Sequence, residues 1–212
     1  MEETIQKTYD AVLAGDADTV KENIQASLDG GLEPNQILNE GMIAAMREVG
    51  QRFEAGDFFV PEMLISARAM QAGMGLLKPY LQQGDVKSSG KVVIGTVRGD
   101  LHDIGKNLVS LMLEGAGFEI KDLGTDVPAE DFIATIILEK PDILALSALL
   151  TTTMPSMKQT IEAVKAAGLR DQVKIIIGGA PVTEEYSKQI GADGFSPDAS
   201  RAVGLAESLL KR

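Results

Sequence analysis

The stretch Val92-Val93-Ile94-Gly95-Thr96-Val97-Arg98-Gly99-Asp100-Leu101-His102-Asp103-Ile104-Gly105 decides how this chain folds. Its first six residues are β-branched or small, the signature of a buried strand. Polar and glycine residues follow as a turn, and from Gly105 the apolar spacing becomes helical. Downstream the same unit recurs. Strands are predicted at Val92–Val97, Glu119–Leu123, Ile143–Ser147 and Val173–Ile177, with a short last one near Ala192–Phe195. Helices are predicted at Gly105–Ala116, Ala129–Glu139, Pro155–Ala167, Val182–Gln189 and Ala199–Lys211. Strictly alternating strands and helices imply an α/β domain with a five-stranded parallel sheet and helices on both faces, Rossmann-like or flavodoxin-like. In such sheets ligands bind beyond the carboxyl ends of the strands, so chemistry is sought in the turns that follow them.

Upstream, from Glu3 to about Gln83, apolar residues fall at three- and four-residue spacing, broken at Gly15-Asp16, Gly30-Gly31 and Gly56-Asp57. Those breaks divide the segment into four helices, for which a four-helix bundle is the compact arrangement. Asp16 and Asn35 are the expected N-caps, and Pro61 suits the first turn of the fourth helix, whose body runs through Met63, Ile65, Met70, Met74 and Leu77. The domain reading is therefore a helical cap over residues 1–83, a polar linker over 84–90 and an α/β domain over 91–212.

Composition narrows the function. A net charge of −11 and only 4% aromatic residues leave no basic surface or stacking platform for nucleic acid. With no cysteine the chain has no disulfide, zinc knuckle or thiolate nucleophile. The start, Met1-Glu2-Glu3-Thr4, lacks the basic and apolar regions of a signal peptide, and no apolar run has membrane-spanning length. A soluble, cytoplasmic protein without membrane or nucleic-acid partners is expected.

His102, the only histidine, lies in the first strand-to-helix turn, with Asp100 two residues before it and Gly105 three after. Imidazole is a common ligand of transition metals, and a carboxylate on its far nitrogen fixes the tautomer and raises basicity. Asp100 is placed for that part. The blander reading is a surface or capping histidine beside an acid. Glu184-Glu185 and Glu130-Asp131 stand at helix starts, where negative charge meets the dipole and needs no catalytic role. The run Gly95–Gly99 is neither a dinucleotide fingerprint nor a Walker loop.

The pattern Asp100-x-His102-x-x-Gly105, then 41 residues, Ser147-x-Leu149, then 28 residues, Gly178-Gly179, resembles the three-part signature of cobalamin-binding domains. Those domains hold the cofactor base-off with histidine on cobalt. The resemblance makes His102 the metal ligand and Asp100 its hydrogen-bonded partner. Asp100, Leu101, His102, Asp103, Ile104, Gly105, Ser147, Leu149, Thr151, Thr153, Gly178, Gly179 and Ala180 become the cofactor-binding set. Hydroxyls of Ser147, Thr151 and Thr153 would line the channel for the displaced tail, and Gly178 and Gly179 would let backbone approach it. A hydroxyl six positions after the signature serine completes a relay in the family. Ungapped counting gives Thr153, and a gap would give Thr151 or Ser156.

The N-terminal helices resemble the cap of methyl-carrying corrinoid proteins around Gly41-Met42, Val49-Gly50, Phe53 and Phe58-Phe59-Val60-Pro61-Glu62-Met63-Leu64. Met42, Met46, Met63 and Met70 are candidate cap contacts, although methionine at this spacing also suits an ordinary core. By this resemblance the chain is a corrinoid protein of a three-component methyltransferase system. It would take a methyl group on cob(I)alamin from a substrate-specific methyltransferase and deliver it to a second methyltransferase acting on coenzyme M or tetrahydrofolate. No side chain would be catalytic, since cobalt is the nucleophile, and a reductive activator would be the third partner. The cobalamin-binding subunit of a mutase and a flavodoxin-like flavin carrier are the alternatives.

Overall fold

The computed structural model describes residues 2–81 and 88–211, so most of the expected linker lies outside the described residues. By contact density the chain divides into two compact units, Met1–Lys87 with Gly115–Gly117, and Ser88–Glu114 with Phe118–Arg212.

The first unit contains helices α1 (Glu3–Ala14), α2 (Ala17–Asp29), α3 (Pro34–Gln36), α4 (Ala44–Ala55) and α5 (Val60–Leu81). A π-helical stretch, Ile37–Ile43, joins α3 to α4, so the helical runs number four and the predicted breaks at Gly15, Gly30 and Gly56 are observed. Asp16 caps α2, its carboxylate accepting from Thr19 N at 3.1 Å. Asn35 does not cap. Pro34 opens α3, where its missing N–H costs nothing, so Asn35 lies inside the helix, and Glu33 precedes it without a side-chain cap. The π stretch was not anticipated, since seven residues carry too few turns for apolar spacing to separate it from α. Helix α1 packs on α2, α4 and α5, and α2 on α5. Ile5, Val12, Val20, Ile24, Met42 and Leu77 are fully buried. Gly73 brings α5 close to α2, where a Cβ would stand 2.7 Å from Ile24 and Val20. The body of α5 runs through Met63, Ile65, Met70, Met74 and Leu77 as expected, with Ile65 exposed.

The second unit is the expected α/β layer structure. Strands β1 (Lys91–Thr96), β2 (Glu119–Asp122), β3 (Ile143–Ser147), β4 (Lys174–Gly178) and β5 (Gly194–Ser196) form one parallel sheet in the order β2-β1-β3-β4-β5. They alternate with α6 (Ile104–Gly115), α7 (Ala129–Glu139), α8 (Met154–Ala166), α9 (Glu184–Ile190) and α10 (Ala199–Leu210). Side chains alternate across the sheet. Val93, Leu144, Leu146, Ile175 and Ile177 belong to a core with Phe132, Ile136, Met157 and Ile161 of α7 and α8. Val92, Ile94, Ile143, Ala145 and Ile176 are buried on the opposite face. Gly95 has a packing reason: a Cβ there would stand 2.8 Å from the Phe132 ring.

In this strand order the chain moves from β1 to β2 in one direction across the sheet and from β3 to β4 in the other. The two connections part at the carboxyl ends of β1 and β3, the place where open α/β sheets bind ligands. Thr96 pairs with Ser147, Ser147 with Gly178 and Gly178 with Ser196, so the turns after β1, β3 and β4 begin at one level.

Candidate functional site

At that crevice Asp100 is fully buried, and its carboxylate collects hydrogen bonds from two loops. His102 N donates to Oδ1 at 3.0 Å, and His102 Nδ1 lies 2.8 Å from the same oxygen. Leu149 N, Leu150 N and Thr153 Oγ1 donate to Oδ2 at 2.8, 3.3 and 2.6 Å. Burial alone would raise the carboxyl pKa. The hydrogen bonds from Thr153, the His102 and Leu149 backbones and the His102 ring outweigh it and hold Asp100 well below the ordinary carboxylate range. An ionised carboxylate only accepts, so Nδ1 of His102 carries the ring proton. Nε2 is then a lone-pair donor on a side chain that is 50% exposed.

Among the described residues no group of three His, Cys, Asp or Glu is arranged to hold a bare metal ion. A single imidazole with a fixed tautomer could ligate a metal that a cofactor already holds. The surroundings agree. Leu101, Ile104, Leu149 and Leu150 all expose large apolar side chains on the two loops that meet at Asp100, a clustering that a flat apolar face would cover. A Cβ on Gly105 would meet nothing within 4 Å, so the protein's own packing does not require glycine there and space is left above the loop.

The other predicted residues take definite places. Of Thr151, Thr153 and Ser156, Thr153 is the one whose hydroxyl reaches Asp100, to which it donates its single proton; the same oxygen lies 2.9 Å from Leu150 O. Its hydroxyl is thereby engaged inside the protein rather than offered to a channel. Ser147 is half-buried at the end of β3, and Thr151 is exposed in the following loop. Asp103 turns to the start of α6, where Oδ2 accepts from Asn107 Nδ2 at 3.1 Å. Gly179 has φ +134°, and a Cβ would fall 1.9 Å from Ala148 O, so glycine is required there by the approach of two loops of the chain itself. Gly178 is confined more mildly, 3.2 Å from Ser196 O, and Ala180 is exposed. Met42, Met46, Met63 and Met70 are buried.

Three contributors were missed. Thr96 Oγ1 donates to His102 O at 2.9 Å, which fixes the peptide after the imidazole. Asp126, at φ +55°, accepts from Gly99 N at 2.6 Å and donates its own N–H to Asp100 O at 2.9 Å. Lys106 is buried on α6, its ammonium held by Asp122 and by Asn107 Oδ1. Thr96 ends a strand and Lys106 opens a helix, and neither type at those positions distinguishes a site from ordinary structure. Gly124, Thr125 and Asp126 are ordinary turn-forming residue types, which do not say which loop they hold.

Two family models described as a B12 binding domain match the chain, one over residues 90–204 and one over residues 4–78. The dimethylamine corrinoid protein of Methanosarcina barkeri is 44% identical over 210 residues, covering 99% of this chain and 98% of that protein. The trimethylamine corrinoid protein 1 of Methanosarcina acetivorans is 43% identical over 211 residues, with the same coverage. Among solved structures, a chain of the methanol:cobalamin methyltransferase complex of Methanosarcina barkeri aligns with TM-score 0.88 at 32% identity, over 98% of this chain and 80% of that one. A cobalamin-binding protein from Desulfitobacterium hafniense aligns with TM-score 0.81 at 34% identity, over 98% of each.

Proposed function

Because the chain belongs to the B12-binding corrinoid proteins, we propose that it carries a corrinoid over the carboxyl-terminal edge of its sheet, with His102 on cobalt, as the methyl carrier of a methyltransferase system. The observation that carries this reading is the His102–Asp100 pair. It presents one exposed imidazole nitrogen with its tautomer set by a buried, ionised carboxylate. Bound there, the cofactor supplies a cobalt that takes up and releases a methyl group.

The chain's part is to bind, orient and hold charge. Asp100 keeps the Nδ1 proton and so directs Nε2 outward. Its hydrogen bonds from Leu149 and Leu150 fasten the β3–α8 loop to the imidazole loop, so the apolar side chains of both are presented together. Thr153 supports the charge on Asp100, and would do so while the histidine held a metal. Ser147 and Thr151 offer hydroxyls beside the crevice, and Gly105 leaves room for the ring.

The proposed partners are those that the resemblance implies. A substrate-specific methyltransferase delivers the methyl group, and an acceptor methyltransferase using coenzyme M or tetrahydrofolate removes it. A reductive activator restores the carrier after oxidation. Docking with each is transient, since one exposed crevice serves them in turn. No observation favours a mutase subunit or a flavin carrier.

The test is reconstitution of the purified protein with methylcobalamin and hydroxocobalamin, followed by visible absorbance of wild type and His102→Ala. One tightly bound corrinoid whose histidine-ligated spectrum is lost in the variant is expected. Absence of binding, or spectra indifferent to His102, would remove the reading.

A further inference from the structure

We infer that Asp126 is a positioning residue for His102, acting through the turn that carries Asp100; the inference rests on the reading of His102 as the cobalt ligand. The carboxylate of Asp100 is held by five contacts, yet its direction depends on the peptide that bears it. That peptide belongs to a tight turn closed by Asp100 N donating to Val97 O at 3.1 Å, with Gly99 at φ +85°. Asp126 grips this turn with both ends of one residue. Its Oδ1 accepts from Gly99 N at 2.6 Å and its N–H donates to Asp100 O at 2.9 Å.

The grip is pre-set by the backbone of Asp126, whose φ of +55° is the left-handed conformation that aspartate and asparagine tolerate better than other non-glycine residues. It is anchored on the next residue as well. Val127 N donates to Thr96 O at 3.0 Å, and Val127 forms a parallel bridge with Val97. The β2–α7 loop is thus fixed to the end of β1 and passes that rigidity to Gly99 and Asp100. Because Oδ1 of Asp100 bonds both the main chain and the ring of His102, any rotation of the Gly99–Asp100 peptide swings the imidazole. Asp126 itself is exposed and does not touch the ring, so its effect on ligation would pass through geometry alone.

Three substitutions separate the contributions. Asp126→Asn keeps the acceptor and the left-handed backbone. Asp126→Gly keeps the backbone and removes the acceptor. Asp126→Ala removes the acceptor and strains the backbone. His102 is the only histidine, so its ring N–H gives one unambiguous proton resonance in the cofactor-free protein, read at fixed pH. The loaded protein is read by the fraction of hydroxocobalamin showing histidine-ligated absorbance.

Loss of a charge-assisted hydrogen bond should weaken histidine ligation about tenfold in Asp126→Gly, more in Asp126→Ala, and no more than about twofold in Asp126→Asn. The ring N–H resonance should shift and exchange faster in the Gly and Ala variants alone. If the wild-type spectrum depends on His102 but Asp126→Gly and Asp126→Ala match wild type in both readouts, the positioning role is overturned and the carrier reading stands. If wild type binds no corrinoid while the ring resonance still responds to Asp126→Gly and is rescued by Asp126→Asn, the positioning of His102 holds and the carrier reading fails.

Discussion

Thr153 Oγ1 donates to Asp100 Oδ2 at 2.6 Å, a side-chain bond that spans 53 positions and ties the β3–α8 loop to the loop bearing His102. Removing the hydroxyl leaves a buried carboxylate short of one donor. Thr153→Val should therefore destabilise the cofactor-free protein by about 1.5–3 kcal/mol. Thr153→Ser should recover most of that loss, and Thr151→Ala and Ser156→Ala should stay near wild type. Urea unfolding of the four variants checks this; a Thr153→Val midpoint equal to that of Thr153→Ser would remove the bond from the account.

The pH dependence of stability has a defined sign. Asp100 titrates lower in the folded protein than its ordinary value of about 3.9, so it stabilises the fold above that value, and the contribution is lost as pH falls below it. The urea midpoint of wild type should drop more steeply between about pH 5 and pH 3 than that of Asp100→Asn, in which this group cannot titrate. Glu3, Asp16, Glu139 and Glu184 are also held low, but they are present in both proteins and cancel in the comparison. Parallel curves would mean that Asp100 titrates in the fold as it does in the unfolded chain, and that its hydrogen bonds do not favour the ionised form.

The buried cation on α6 predicts an asymmetry. Lys106 is almost fully enclosed, whereas its partner Asp122 is 38% exposed. Asp122→Ala strands the ammonium with Asn107 alone and should cost about 3 kcal/mol. Lys106→Met replaces the stem by a similar apolar volume and lets Asp122 hydrate, so it should cost no more than about 1.5 kcal/mol. Thermal unfolding distinguishes them, and equal losses would show that the pair is not enclosed as described.

Much of this architecture was legible because periodicity carries it. The alternation of β-branched runs with helical spacing located the strands and the helices between them to within a residue or two, as Ile143–Ser147 and Ala129–Glu139 illustrate. The His102 loop was legible as a motif because its residue types are few and specific. What failed to show was anything that depends on which loops meet. Asp126 is an acid in a turn until the sheet places it under Gly99. At Gly179 the sequence could not show that the approach of Ala148 by itself requires glycine. Asn35 satisfied the rule for a cap, but the adjacent proline set the helix start two residues earlier. The choice among Thr151, Thr153 and Ser156 needed a distance, because counting along a loop cannot say which hydroxyl faces inward.

Two glycines of the motif should behave oppositely when a methyl group is added. Gly179 combines φ +134° with a Cβ position 1.9 Å from Ala148 O, so Gly179→Ala requires the β3–α8 and β4–α9 loops to separate. A loss of about 2–4 kcal/mol is expected, larger than for Gly178→Ala, whose nearest obstacle lies at 3.2 Å. Gly105 stands in the first turn of α6 with open space at its Cβ, so Gly105→Ala should leave stability unchanged or raise it by up to about 1 kcal/mol through helix propensity. Its effect should appear only with corrinoid, as weaker binding, because the added methyl occupies space that the chain itself leaves empty. Unfolding curves and equilibrium binding of hydroxocobalamin to the three variants measure both quantities. Gly105→Ala that binds as tightly as wild type would mean that the corrinoid does not occupy the space beside Gly105.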